Sequence, residues 1–191
     1  MKDNWSLFWQ ILRFKRGPED APHSPSLLIN LIVLDLLLNA VGQSMNREAS
    51  DTAMIVTVPL IAVTVELVAL HLLMAFKSVS QRFVATATVI MGCDVILTLI
   101  SLPVLLVSLS VPPKSSLMMV LGILQMVLLG WSLGFRAFVY HRTLNIGLVQ
   151  ANMLTFTLFL LTMTFTVQAF PELLAKAQAQ AAAAQQTNKT E

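Results

Sequence analysis

The sequence predicts an all-α membrane protein: a polytopic bundle of five transmembrane helices, preceded by an interfacial amphipathic helix. Of its 191 residues, 56% are hydrophobic and only 12% are charged, whereas an average soluble domain has about 25% charged residues. The mean hydropathy is +0.75, and five stretches are long enough to cross a hydrocarbon core of about 30 Å. This composition excludes an ordinary soluble enzyme, a disordered chain and a nucleic-acid-binding domain.

The five predicted spans are expected to be helices, because unpaired backbone amides in lipid cost several kcal/mol each. They cover residues 26–45, 53–76, 83–111, 117–140 and 146–170. The chain accordingly divides into three parts. Residues 1–25 form an amphipathic segment with a proline-rich connector, residues 26–170 form the transmembrane domain, and residues 171–191 form an external tail rich in alanine and glutamine.

The distribution of lysine and arginine predicts the orientation of the chain in its membrane. Eight of the twelve basic residues fall on the side that holds the N-terminal segment and the second and fourth joins. Because basic residues accumulate on the cytoplasmic side, we expect a cytoplasmic N-terminus and an external C-terminus. The expected location is a bacterial inner membrane. The expected partner is the lipid bilayer and not nucleic acid, because the basic residues form no stripe along which a phosphate backbone could bind.

The N-terminal segment contains an apolar stripe at helical spacing, followed by a basic run. The stripe and the run comprise Trp5, Phe8, Trp9, Leu12, Arg13, Lys15 and Arg16. Tryptophan favours the headgroup layer, and basic side chains favour anionic lipid, so this pattern predicts an interfacial anchor on the cytoplasmic leaflet. The alternative, which does not exclude the first, is a helix packed against its own bundle. Gly17 and Pro18 are expected to end this helix.

Three carboxyl side chains lie inside the predicted spans: Asp35, Glu66 and Asp94. At a rise of 1.5 Å per residue, each is about 13–16 Å from the predicted cytoplasmic end of its helix, so all three fall near one plane. An ionised carboxylate at that depth costs about 2.5–3.5 kcal/mol. We therefore expect at least some of these groups to be protonated.

Other polar residues extend this group into a predicted seam through the first three spans. They are Asn30, Asn39 and His71. Asn39 is one turn from Asp35 on the same face, whereas His71 lies about 140° around the helix from Glu66. The seam predicts either a proton or cation path or a polar ligand site. The structural alternative is that these groups only hold the helices together through hydrogen bonds worth about 0.6 kcal/mol each.

Three further features of the spans bear on packing. Arg136 is expected to snorkel outward near the end of the fourth span, and so not to neutralise Glu66. Gly130 and Gly134 form a small-xxx-small pair, which predicts close helix packing either inside the bundle or at a dimer face. The fifth span contains five threonines, whose hydroxyl groups are expected to bond to carbonyls of their own helix. These threonines are Thr155, Thr157, Thr162, Thr164 and Thr166.

No enzyme signature is present, so no catalytic residue, metal site or cofactor is predicted. The chain lacks the nucleophile, zinc-protease, phosphate-loop and dinucleotide motifs. Cys93 is the only cysteine, which excludes an intrachain disulfide. The first functional prediction is a non-enzymatic membrane protein that organises the membrane or binds a membrane-protein partner or a second copy. The alternative is a small transporter or channel-like component that uses the intramembrane carboxyl groups to carry protons or cations.

The layout also resembles a known family. A cytoplasmic N-terminus, five closely spaced helices and a short external C-terminus are similar to the Yip-domain family of small five-span membrane proteins. The run RFKRGP at residues 13–18, ahead of SPSLL at residues 24–28, resembles the start of bacterial inner-membrane proteins of that kind. The resemblance implies a five-helix fold and, from eukaryotic relatives, a link to small GTPases and vesicle traffic. It implies no role for any single residue.

Overall fold

A computed structural model describes residues 2–45, 52–112 and 115–171 of the chain. Within these ranges the chain forms helices and no strand. The α-helices are α1 (Lys2–Leu12), α2 (Pro25–Met45), α3 (Thr52–Phe76), α4 (Phe83–Ser110), α5 (Ser116–Leu144) and α6 (Leu148–Ala169). Two short 3-10 helices, Pro18–Asp20 and Ser80–Arg82, precede α2 and α4. The predicted tail, apart from Pro171, lies outside the described residues, as does the first join at 46–51.

The prediction of an all-helical bundle with five spans is confirmed in the described part of the chain. Helices α2 to α6 are each long and apolar enough to cross a membrane, as expected of an integral membrane protein. Most of the predicted bounds agree closely with the structure, but α5 continues to Leu144. Asn145 then adopts a left-handed conformation with φ of 50°, and Gly147 begins α6. This tight turn makes α5 and α6 an antiparallel pair.

Helix α4 occupies the middle of the bundle. It contacts α1, α2, α3 and α5, while α6 packs against α3 and α5. Residues 86–93 of α4 are all buried. The start of α4 meets the end of α5, where the hydroxyl oxygens of Thr86 and Thr143 are 3.4 Å apart. We call this end of the bundle, where α2, α4 and α6 begin, the N-terminal end.

Helix α1 packs against the bundle. Its Phe8 ring fills the space above Gly92 of α4, where a Cβ atom would lie 2.5 Å from the ring. The indole Nε1 of Trp131 on α5 donates a hydrogen bond of 2.9 Å to the carbonyl oxygen of Leu12. The second interpretation of the N-terminal segment, a helix packed on its own bundle, therefore describes its observed position. The interfacial role stays a prediction.

The predicted apolar stripe on α1 is divided between two environments. Phe8 and Leu12 are buried, but Trp5 and Trp9 are 36% and 40% exposed. The buried face is completed by residues next to Phe8 and Leu12 in sequence, namely Leu7 and Ile11. The reason is that packing on α4 selects a narrower face than the one on which the tryptophans lie. The basic residues of the following run, Arg13, Lys15 and Arg16, are exposed.

The end of α1 also differs from the prediction. The helix stops at Leu12, before Gly17 and Pro18. Phe14 takes a positive φ of 59°, and the Lys15 amide donates a hydrogen bond of 2.9 Å to the carbonyl oxygen of Gln10. A left-handed residue followed by such a backward hydrogen bond is a common way to end a helix, although glycine or asparagine usually fills that position.

The threonines of α6 behave as predicted. Each of the five donates its hydroxyl hydrogen to the carbonyl oxygen four residues earlier, at distances of 2.8–3.0 Å. These hydroxyl groups are therefore satisfied within one helix, and they are not needed to bind a ligand or a neighbouring helix.

Candidate functional site

Arg136 of α5 is the centre of a polar cluster inside the bundle. Its Nε donates to Glu66 Oε1 of α3 at 2.8 Å, and its Nη2 donates to Asp94 Oδ2 of α4 at 2.7 Å. Its Nη1 donates to the hydroxyl oxygen of Ser132, one turn earlier on α5. The hydroxyl group of Tyr140, one turn later, donates to Glu66 Oε1 at 3.2 Å. The guanidinium group thus joins three helices through charge-assisted hydrogen bonds, which are stronger than neutral ones.

The expectation that Arg136 would snorkel outward is therefore wrong. Arg136 lies eight residues before Leu144, which ends α5, or about 12 Å along the helix. Its side chain points into the bundle and is only 19% exposed, while the side chains of Glu66 and Asp94 are 15% and 13% exposed. At this depth the guanidinium group is far from the membrane surface, and the two carboxylates beside it are charged hydrogen-bond partners that it reaches directly.

Asp35 of α2 is the third carboxyl group at this level, and its surroundings differ. It is only 4% exposed. The amide nitrogen of Asn39 donates to Asp35 Oδ1 at 3.1 Å and also to the backbone carbonyl oxygen of Asp35 at 2.9 Å. Among the described residues, no cation forms an ion pair with Asp35. Of the three carboxyl groups, this is the one that lacks a positively charged partner.

A cavity of about 390 Å³ brings these groups together between α2, α3, α4 and α5. Its polar lining includes Asp35, Asn39, Glu66, Asp94, Ser132 and Arg136. From this cluster the lining extends mainly away from the N-terminal end, past Ser101 and Gln125. On the other side lie Leu70, Met74 and Ile90, which are completely buried. The cluster therefore forms the floor of a cavity whose N-terminal side is closed by apolar packing.

Two members of the predicted seam do not belong to this cavity. Asn30 and His71 are both exposed, and the His71 ring packs edge to face on Phe83 with 5.2 Å between ring centroids. Asn30 is five positions from Asp35 on α2, and His71 is five positions from Glu66 on α3. Five residues correspond to a rotation of about 140° around a helix, so neither side chain shares the face of the carboxyl group. The polar seam is thus shorter than predicted, and α5 contributes to it.

The glycine pair of α5 does not pack against another membrane-spanning helix. Among the described residues, and apart from the backbone of α5 itself, no heavy atom lies within 4 Å of the position that a Cβ atom would take on Gly130. The nearest such atom to the corresponding position on Gly134 is Phe14 Cζ, at 3.8 Å. The interpretation as internal helix packing is therefore wrong. Gly130 faces outward, so the interpretation as a dimer face stays a prediction.

The members of the Arg136 cluster that the sequence prediction missed lie on one face of α5. Ser132, Arg136 and Tyr140 follow each other at intervals of four residues, which places them one above the other on a helix. This spacing was the available signal, because an arginine inside a span with polar neighbours at i−4 and i+4 indicates a buried polar face. In the described part of the chain, no group of three or more histidine, cysteine, aspartate or glutamate residues is placed to hold a metal ion.

Comparison with known protein families, with curated proteins and with solved structures finds no match for this chain.

Proposed function

We propose that this chain is a small proton- or cation-coupled component of a membrane transport process, with Asp35, Glu66 and Asp94 as its binding groups. The observation behind this proposal is the cavity that holds three carboxyl groups around a single arginine. Ionisable groups within a membrane are costly, and they commonly mark ion pathways or proton relays.

The balance of charge indicates what the cavity binds. Arg136 compensates for one negative charge, although it contacts two carboxyl groups. Asp35, in the same cavity, has no cation of its own among the described residues. With all three acids ionised, three negative charges and the one positive charge of Arg136 would leave the cluster a net charge of −2 in a medium of low dielectric constant. A proton or a monovalent cation at Asp35 reduces this net charge to −1, so the site favours positive species.

The shape of the cavity supports access from one side. The polar lining leads from the cluster towards Gln125 of α5, which is eleven residues from Arg136 and so about 16 Å away along the helix. Buried apolar side chains separate the cluster from the N-terminal end. A polar path that leads towards one side, with apolar packing towards the other, is the asymmetry on which alternating access depends, in which a second state opens the closed side.

The test is flux through the purified full chain in proteoliposomes, loaded either with a pH-sensitive dye for protons or with a dye sensitive to sodium or potassium. Asp35→Asn removes the ionisable group with little change in size, and we expect it to abolish proton or monovalent-cation flux, while Asp35→Glu retains it. Asp20→Asn is the matched control, because Asp20 is exposed and outside the cavity. Monodisperse elution and a native circular dichroism spectrum establish folding of each variant. The proposal is overturned if the wild-type chain gives no flux above empty liposomes, or if folded Asp35→Asn matches it.

A second candidate function is the binding of a membrane partner or of a second copy. Its support is Gly130, around which the surface of α5 is open, since a small residue in a lipid-facing helix permits close approach of another helix. Crosslinking in native membranes tests it, because Gly130→Leu would reduce the recovery of a crosslinked product. Membership of the Yip-domain family stays a prediction alongside this function.

The proposed orientation places the N-terminal end of the bundle in the cytoplasm of a bacterium. The exposed basic residues at that end support it, because such residues are retained on the cytoplasmic side. Lys77, which follows α3, and Arg82, which immediately precedes α4, are both exposed. Labelling of tags at the two ends of the chain in intact cells tests it: an external C-terminal tag with a protected N-terminal tag is expected, and two tags on one side would contradict it.

A further inference from the structure

A second cavity lies at the N-terminal end of the bundle, separate from the Arg136 cluster. It has a volume of about 550 Å³ and lies between the 3-10 helix Pro18–Asp20, the start of α4 and the end of α5. Its polar lining includes Glu19, His23, Arg82, Thr86, Arg142 and Thr143. Thr86 and Thr143 are buried and form a polar floor, whereas the two arginines are exposed at the rim.

The charges around this second cavity are only partly compensated. Arg142 Nη1 donates to Glu19 Oε1 at 2.6 Å, and the guanidinium group of Arg142 also lies over the Phe138 ring at 5.4 Å. Arg82 forms no ion pair with any residue that the structure describes. The two arginines and the one glutamate that line the cavity sum to a single net positive charge, and Arg82, which has no ion-pair partner among the described residues, carries it.

The backbone adds to this preference for an anion. Arg82 immediately precedes α4, and its side chain makes no capping hydrogen bond to the first turn of that helix. The residues that line the cavity here include Gln81, Ala85 and Thr86, so the first turn of a 28-residue helix borders the cavity. The positive end of the helix dipole favours negative charge next to Arg82.

We propose that this second cavity binds a phosphodiester group, and that the group belongs to the headgroup of a membrane phospholipid. A phosphodiester carries one negative charge, which matches the one uncompensated positive charge of the cavity. Arginine presents two parallel N–H donors that match a pair of phosphate oxygens. The cavity lies at the start of α4 and the end of α5, at one end of the spanning helices, and basic pockets between such helix ends bind lipid headgroups.

The test is lipid retention by the delipidated full chain in detergent, measured by native mass spectrometry. The probes are phosphatidylglycerol, phosphatidylethanolamine and inorganic phosphate, each added separately. Arg82→Gln should lower the retention of phospholipid by about tenfold, the effect expected when one hydrogen-bonded charge is lost. Lys77→Gln is the matched control, because Lys77 is an exposed basic residue of the same join that does not line the cavity.

The outcomes separate the possible sources of the phosphate. Retention of either phospholipid that depends on Arg82 but not on Lys77 supports the headgroup assignment, and a difference between the two lipids shows whether the headgroup beyond the phosphate is recognised. If inorganic phosphate binds through Arg82 and no phospholipid does, the anion site stands but its assignment to a lipid is overturned. Equal retention by Arg82→Gln and wild type, or an equal loss in Lys77→Gln, overturns the site.

Discussion

Replacement of Phe8 by alanine should release α1 from the bundle. Phe8 is 1% exposed and its ring lies directly above Gly92 of α4. Removal of a buried phenylalanine side chain costs about 3–5 kcal/mol when the site cannot collapse around it. Gly92 has no side chain that could move into the vacated space, so we expect the attachment of α1 to the bundle to weaken by at least about 3 kcal/mol.

The neighbouring residue on α4 provides a direct assay. Cys93 is the only cysteine of the chain. It is completely buried, and its Sγ makes a weak hydrogen bond of 3.6 Å to the carbonyl oxygen of Phe8. A thiol covered by α1 reacts only when α1 moves away. A loss of about 3 kcal/mol corresponds to about a 150-fold increase in the population with α1 displaced, because every 1.4 kcal/mol is tenfold.

The measurement is the rate at which a small thiol reagent modifies Cys93 in the folded protein in detergent. Phe8→Ala should increase that rate by about two orders of magnitude. Phe14→Ala is the matched control, because it removes the same side chain from the same segment at a position that is 48% exposed. The reasoning is refuted if Phe8→Ala reacts within a factor of about two of wild type, or if Phe14→Ala reacts equally fast, while the unfolded protein reacts readily.

Two further predictions concern α5. Arg136→Gln should lower the stability of the bundle by about 3–5 kcal/mol, because it leaves Glu66 and Asp94 without their buried cation; thermal unfolding in detergent measures this, and an unchanged melting temperature would show that the ion pairs contribute nothing. Gly130→Leu should leave the melting temperature of the monomer unchanged, because no atom lies within 4 Å of the added Cβ position. A clear decrease in that temperature would mean that the face is packed.

The five spans could be predicted because hydropathy and length determine them almost alone. A helix in lipid needs about 20 apolar residues, and the sequence supplies five such stretches separated by short polar joins. The end of α5 was less predictable. Tyr140, His141 and Arg142 are polar enough to indicate a membrane boundary, but the helix continues through them to Leu144, and the left-handed Asn145 ends it. Hydropathy indicates where a span leaves the lipid, whereas a helix ends where its backbone hydrogen bonds stop. In α5 these two positions differ.

The candidate site was predictable in its depth but not in its composition. Counting residues from the helix ends places Asp35, Glu66 and Asp94 near one level, and all three line one cavity. The same counting cannot show which way an arginine points. Snorkelling is a rule for isolated helices, and the two carboxylates supplied by α3 and α4 override it at Arg136. The direction of a side chain therefore depends on tertiary neighbours that one helix does not reveal.

The Arg136 cluster connects the binding of a proton or cation to the packing of three helices. Glu66, Asp94 and Arg136 come from three helices, and their ion pairs exist only while both carboxyl groups are ionised. A proton or a cation that moves from Asp35 onto either group weakens its bond to Arg136, and so weakens the attachment of α5 to α3 or α4. Occupancy of the site is therefore linked to the packing of these helices. Asp35→Asn and Arg136→Gln separate the two roles, because the first should stop flux at nearly constant stability and the second should reduce stability itself.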